Sequence, residues 1–221
     1  MTSQPNPEPH KGFGDLGERP WKAAGLPAHP GADPAAYGRS WETLANALSG
    51  FLDALAESVP GRETVEALAA DLTTWSDKLK PLASPERDRV FGRRTDLHGR
   101  GQSMSPKLVV IRSDRDSVEG TVHFGSYFLG GNGAVHGGAI PLIFDEILGR
   151  LANSADRPPS RTAYLHTDFR SITPIGPDLS IRAWFVSEEG RKRILRATIH
   201  HGDTLCAEAE GLFVALRPGQ P

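Results

Sequence analysis

Apolar residues follow two periodicities along the 221-residue chain, and the change lies near residue 107. Before it, they recur every three or four positions, which is the spacing of one helix face. After it, apolar and polar residues alternate, as in strands with one buried face. Two helical stripes are present: Leu44, Leu48, Phe51, Leu52 and Leu55, followed by Val65, Leu68, Leu72, Trp75 and Leu79.

The residues that flank these stripes predict where the helices begin and end. Ser40 is of the type that caps a helix start, while Pro60-Gly61 and Pro81 end the two runs. We expect an irregular arm rich in Pro and Gly over residues 1–39, then a helical hairpin and linker over 40–106. The hairpin is predicted to pack against the main domain or a second subunit. The linker is interpreted as a solvated loop rather than a phosphate-docking surface, although it holds Arg87, Arg89, Arg93, Arg94 and Arg100.

Residues 107–221 are predicted to form the main domain. Runs at 108–111 and 118–124 read as a hairpin across the polar turn 113–116. The helix that follows is apolar around most of its circumference, so it should be buried. Three further alternating regions, which can be counted as four strands, lie at 163–169, 181–186 and 194–216. This order predicts an α+β domain in which a curved antiparallel sheet wraps one long central helix.

Candidate chemistry concentrates at residues 130–150, where a glycine-rich loop leads into this helix. Free amides at a helix start can bind developing negative charge, so Gly137 and Gly138 are candidate oxyanion donors. Asp145 is a candidate base or nucleophile in a sheltered position. Glu146 is interpreted as structural, because it can form an i,i+4 ion pair with Arg150 on a solvated or peripheral face.

Charge and composition exclude several other classes of function. A net charge of −2 and a pI near 6.4 give no reason to expect nucleic acid as a partner. No apolar run approaches the roughly 20 residues that cross a bilayer, so no membrane insertion is expected. The single cysteine, Cys206, is interpreted as an inert strand thiol and fits the cytoplasm.

Two polar clusters lie between residues 191 and 203. His200 and His201 precede a Gly-Asp turn and point to opposite faces of a strand, so we expect no metal there. No cofactor is indicated. The run Arg191-Lys192-Arg193 is interpreted as exposed hairpin charge rather than as a phosphate site.

The sequence resembles the hotdog-fold thioesterases, especially PaaI-like and mammalian-type acyl-CoA thioesterases. The likeness rests on the motif 135–140 (Val-His-Gly-Gly-Ala-Ile), on Asp145 nine positions after His136, and on segments 162–165, 168–170 and 207–213. It spans residues 108–217, about half the chain. The resemblance implies an acyl-CoA or related thioester substrate, and a homodimer or dimer of dimers whose sheets join.

The resemblance also assigns roles to particular residues. It selects Gly137 as the oxyanion donor, facing Asp145 and Thr162 of the partner subunit in a composite site. Thr162 either orients water or Asp145, or is a strand-start threonine chosen for β-propensity. His136 is either a general base or, as we prefer, holds the loop by hydrogen bonds. Asn132 could bind the thioester carbonyl, though a turn role is plainer, and Arg170 could meet CoA phosphates.

Two alternatives to hydrolysis share the fold. A non-catalytic regulatory hotdog protein would bind acyl-CoA without cleaving it, with the helical hairpin reporting occupancy to a partner. A hydratase or dehydratase would need an acid/base histidine placed with the helix carboxylate, and the sequence offers no such arrangement.

Overall fold

The computed structural model describes residues 34–94 and 98–220. Its helices are α1 (Pro34–Glu57), α2 (Arg62–Leu79) and α3 (Ala139–Ala152). Its strands are β1 (Lys107–Ser113), β2 (Ser117–His123), β3 (Leu129–Gly131), β4 (Ala134–Val135), β5 (Ser160–Phe169), β6 (Asp178–Glu189), β7 (Lys192–His201) and β8 (Thr204–Ala215). The predicted arm lies largely outside the described residues.

Six strands form one antiparallel sheet in the order β1-β2-β6-β7-β8-β5. The turn between β1 and β2 is set by Asp114, whose Oδ1 accepts the amide hydrogens of Asp116 and Ser117 at 2.9 and 2.7 Å. The hydrogen bond from the Asp116 amide, the largest influence, lowers the pKa of Asp114. Gly190 and Gly202, both with positive φ, close the β6–β7 and β7–β8 turns. The predicted antiparallel sheet is confirmed.

The sheet wraps α3, as the apolar pattern predicted. Phe144, Ile147, Leu148 and Leu151 on the helix are fully buried. Alternate residues of the strands complete the core, among them Leu179, Leu195, Ile199 and Phe213. The α+β architecture with a long central helix is therefore confirmed. Asp145 and Leu142 lie on the exposed side of the same helix.

The N-terminal helices differ in how they meet this domain. Helix α1 begins at Pro34, not at Ser40 as predicted, because proline is tolerated in a first helical turn. The Ser40 hydroxyl instead donates to the Ala36 carbonyl, 3.1 Å away. α1 docks beside residues 126–128 through Asp53, which accepts the Tyr127 amide at 3.1 Å. It is thus part of the folded body.

Helix α2 projects away from that body. None of its residues is buried, and its apolar stripe is exposed, with Trp75 60% and Leu79 60% accessible. Both helices form as predicted, but they do not pack against each other as the predicted helical hairpin requires. None of the described helices combines the length and hydrophobicity needed to span a bilayer.

Candidate active site

The glycine-rich loop reaches α3 through a short hairpin. Strands β3 and β4 pair across Asn132 and Gly133, which have φ of 51° and 75°. Two successive positive φ values define the turn type for which Asn-Gly is preferred. The exposed Asn132 side chain makes no hydrogen bond among the described residues. Its position therefore agrees with the turn role, and the structure does not bring it to Asp145.

His136 holds the start of α3. Its amide donates to the Phe128 carbonyl at 2.7 Å, and its carbonyl accepts from the Ala139 amide at 2.8 Å. Its ring Nδ1 accepts the Gly138 amide hydrogen at 3.0 Å. An accepting Nδ1 places the proton of a neutral imidazole on Nε2. This geometry is the loop-holding arrangement, and it occupies the Gly138 amide that was a second candidate donor.

The amide of Gly137 is left available. Within residues 34–94 and 98–220 it has no hydrogen-bond partner, and the residue is exposed. A Cβ built on Gly137 would lie 3.8 Å from Phe169 Cζ, an ordinary contact distance, so the residue is not required to be glycine for space. The exposed Phe169 ring therefore forms one wall beside a free N–H at a helix start.

Asp145 and Thr162 are brought together as predicted. The Thr162 hydroxyl donates to Asp145 Oδ1 at 2.8 Å, joining α3 to the first residues of β5. Asp145 is exposed in the single chain, however, and not sheltered as expected. Leu142, one turn earlier on the same face, is 37% exposed. The carboxylate thus lies on an open helix face with an apolar neighbour, held by a hydroxyl.

Glu146 is paired with Arg150, but the pair is not on a solvated face. Arg150 and Glu146 side chains are only 5% and 11% exposed. Arg100 adds a second guanidinium, with Nε 2.8 and 2.7 Å from the two carboxylate oxygens. Burial opposes ionisation of Glu146, yet the two arginine charges outweigh it and lower its pKa. Desolvation also lowers the pKa of Arg150.

The linker interpretation is therefore wrong at Arg100. Residues 98–102 pack against α1 and the main domain, and Gly101 and Gln102 are buried. The reason is local: Gly99 and Gly101 flank Arg100, and all three have positive φ. The Gly-Arg-Gly triplet was the sequence signal for a sharp turn, but nothing in it identified Glu146 as the target.

Arg170 lies at the end of β5, next to Phe169. Its guanidinium forms ion pairs with Glu208 at 2.6 Å and with Asp168 at 3.0 Å. The hydrogen bond to Glu208 is the main cause of a raised pKa for Arg170, and the charges of the two carboxylates raise it further. The structure does not bring it to Asp145.

Arg193, predicted to be an exposed hairpin charge, is instead 2% exposed. It donates to the carbonyls of Ala152 and Pro158, both at 2.8 Å, and so closes the C-terminal end of α3.

Cys206 is buried in β8, and desolvation raises the pKa of its thiol. Such a thiol is a poor nucleophile at neutral pH. No cluster of three or more metal-ligating side chains is found in the part of the chain that the structure describes. In this region the candidate carboxylate is Asp145 and the candidate oxyanion donor is the Gly137 amide.

The chain resembles known proteins in this same region. Residues 132–208 match the family model described as Thioesterase superfamily. Acyl-coenzyme A thioesterase THEM4 from Bos taurus is 34% identical over 96 residues, covering 42% of this chain and 39% of that protein. THEM4 from Rattus norvegicus is 34% identical over 99 residues, covering 44% and 42%. The chain thus spans about two fifths of the length of the curated relatives that it matches.

A solved crystal structure of a thioesterase superfamily protein extends the comparison. It is 28% identical, with a TM-score of 0.67, and covers 79% of this chain and 90% of that chain. Since β1 to β8 occupy about half of the chain, the likeness includes part of the N-terminal half, beyond the resemblance read from the sequence. The chain therefore has the hotdog fold, and its residues 132–208 are similar to the Thioesterase superfamily.

Proposed function

We propose that this chain is an acyl-CoA thioesterase in which Asp145 is the base or nucleophile and the Gly137 amide is the oxyanion donor. The observation that carries the proposal is the hydrogen bond from Thr162 to Asp145 on an exposed face of the buried helix. It orients a carboxylate that serves no ion pair among the described residues. The named acyl-coenzyme A thioesterase relatives support the substrate class.

The chemistry requires attack on a thioester carbonyl and stabilisation of the oxyanion that forms. As a base, Asp145 takes a proton from water while the water oxygen bonds to the acyl carbon. As a nucleophile, its oxygen bonds to that carbon directly, and water later cleaves the anhydride. In both routes the C–S bond breaks and the CoA thiolate leaves; it takes the proton held by Asp145 in the base route and a proton from water in the nucleophile route, in which hydrolysis of the anhydride regenerates the Asp145 carboxylate. The Gly137 N–H binds the carbonyl oxygen as it becomes negative.

One chain does not place both groups on one carbonyl. Asp145 lies eight residues beyond Gly137, and its separation from the adjacent Gly138 is already about 10 Å along the helix axis. Two subunits bring these groups together if their α3 helices run antiparallel to each other, so that each Gly137 faces the partner's carboxylate. The β5 edge of the sheet supports such a dimer, because Tyr164 and Phe169 there are 43% and 56% exposed.

Mixed dimers test the composite site. Asp145→Asn and Gly137→Pro chains should each be inactive, the second because proline lacks the N–H. Refolded together in equal amounts, they should recover about a quarter of wild-type turnover, since half the dimers hold one intact site of two. Gly137→Ala, which keeps the amide, is the matched control and should remain active. No recovery on mixing would place the site within one chain.

The activity itself is tested by a turnover screen of short, aromatic, medium and long acyl-CoA substrates, with released thiol as the readout. Thiol release that depends on Asp145 supports hydrolysis and names the acyl class. Calorimetric binding of acyl-CoA with no turnover at any chain length would instead favour the regulatory binding protein. Hydration of an enoyl-CoA without thiol release would favour the hydratase.

A further inference from the structure

Arg100 occupies a strained and firmly held turn. Gly99, Arg100 and Gly101 have φ of 57°, 58° and 69°. A non-glycine residue in this left-handed region typically costs about 1–2 kcal/mol, so other contacts must maintain it. Trp41 Nε1 of α1 donates to the Gly101 carbonyl at 3.0 Å, and the Arg94 amide donates to the Arg100 carbonyl at 3.2 Å. The N-terminal half thus positions the Arg100 backbone.

The side chain of Arg100 is fixed as well. Its Nε lies within 2.8 Å of both oxygens of Glu146, on the helix that carries Asp145. Glu146 also accepts from Arg150, so one carboxylate faces two guanidinium groups. Arg100, Glu146 and Arg150 thus form one charged cluster. Arg150 is 5% exposed and Arg100 28%, so Arg100 is the member that solvent and ligands can reach.

Among the residues that the structure describes, Arg100 contacts Glu146 through its Nε. Its terminal nitrogens, Nη1 and Nη2, have no partner among residues 34–94 and 98–220. They carry four N–H donors arranged as a planar fork, which fits phosphate or carboxylate oxygens. By contrast, Arg93 in the same linker is paired with Glu86 at 2.6 Å.

We propose that Arg100 is a substrate-binding residue whose terminal nitrogens bind an anionic oxygen group of the thioester, either a CoA phosphate or a carboxylate on the acyl chain. This inference rests on the proposed function. Glu146 orients the guanidinium and limits its rotation, so little side-chain entropy is lost when the anion binds. Glu146 directly follows Asp145, which places this anion site beside the candidate catalytic helix face. The N-terminal half therefore contributes to substrate recognition.

The test compares Arg100→Ala, Arg100→Lys and, as control, Arg93→Ala. With an ω-carboxyacyl-CoA, which carries both the CoA phosphates and an acyl carboxylate, Arg100→Ala should raise KM roughly tenfold or more, the loss expected for charge-assisted hydrogen bonds, with kcat within about twofold of wild type. Arg100→Lys should recover part of the affinity, and Arg93→Ala should match wild type. Unchanged KM in Arg100→Ala would overturn the proposal. So would an equal fall in kcat on every substrate with a lowered melting temperature, because that result marks a structural role.

Truncated substrates identify the anion. If Arg100 binds a phosphate, the KM defect should vanish with an S-acyl-pantetheine, which lacks phosphates. If it binds an acyl carboxylate, the defect should persist with an ω-carboxyacyl-pantetheine and be absent with the simple acyl form. If wild type hydrolyses nothing, calorimetry with CoA and with a dicarboxylic mono-CoA thioester separates the two ideas. Binding at least tenfold weaker in Arg100→Ala supports the anion site without hydrolysis, and equal or absent binding overturns it.

Discussion

Replacing Glu146 with Gln removes the carboxylate that joins Arg150 to Arg100 while nearly preserving side-chain volume. Arg150 and Glu146 are 5% and 11% exposed, so the pair is desolvated and its charges are weakly screened by water. Removing one partner of a buried pair typically costs about 3–5 kcal/mol, because the other charge stays buried. For a chain of this size we expect the melting temperature to fall by about 6–20 °C.

Glu119→Gln is the matched control. Glu119 also pairs with an arginine, Arg182, at 3.3 Å, but the two side chains are 40% and 60% exposed. Exposed pairs contribute about 0–1 kcal/mol, so this variant should melt close to wild type. Thermal and urea denaturation followed by circular dichroism measure both. If the free energy of unfolding of Glu146→Gln lay within about 1 kcal/mol of that of Glu119→Gln, the reasoning would be refuted.

The same pair predicts a pH dependence. Burial raises the pKa of Glu146, but Arg150 and Arg100 outweigh it, so the folded pKa lies below the usual value. The unfolded chain, with a glutamate pKa of about 4.3, therefore takes up the proton first as the pH falls. The stabilisation is present above about pH 4.3 and is lost as the pH falls through the folded pKa. The difference in unfolding free energy between wild type and Glu146→Gln should therefore become smaller in that acid range.

Three further predictions follow from single contacts. Thr162→Val should lower turnover roughly tenfold by freeing Asp145, whereas Thr162→Ser should keep it; equal rates for both would contradict the orienting role. His136→Ala should destabilise by about 0.5–1.5 kcal/mol in urea and reduce turnover without abolishing it, because the Gly138 amide loses its acceptor; an unchanged midpoint would argue against loop-holding. Leu72→Ser and Trp75→Ser should each change stability by no more than about 0.5 kcal/mol, against about 3–5 for Phe144→Ala; a larger loss would mean that α2 is covered in the assembled protein.

The fold was largely predictable because its strands and central helix carry strong periodic patterns. Alternation in β6 to β8 and the helix α3, which is apolar around most of its circumference, place the core correctly. The start of α1 was predicted six residues late, since proline at a helix start looks like a breaker in sequence. The packing of α1 on the domain depends on Trp41 and Asp53, whose distant partners leave no local signal.

The candidate site was predictable only where its residues lie in one motif or one family-like segment. Asp145 and Thr162 meet as expected, and His136 bonds the Gly138 amide as the loop-holding interpretation requires. The burial of Arg193 and the contact of Arg100 with Glu146 were missed. In both cases the contacting residues lie more than 30 positions apart in the sequence. An arginine in a polar segment is interpreted as solvated unless its partner is known.

The most direct measurement of the central claim is the turnover of Asp145→Asn on the best acyl-CoA substrate, beside Asp178→Asn as control. Asp178 is an exposed aspartate paired with His123 at 3.0 Å, and its loss should leave activity unchanged. Asparagine at 145 can still accept the Thr162 hydroxyl but cannot act as base or nucleophile. The account predicts a fall in kcat of roughly a hundredfold or more with the melting temperature preserved. Wild-type turnover in Asp145→Asn would contradict it.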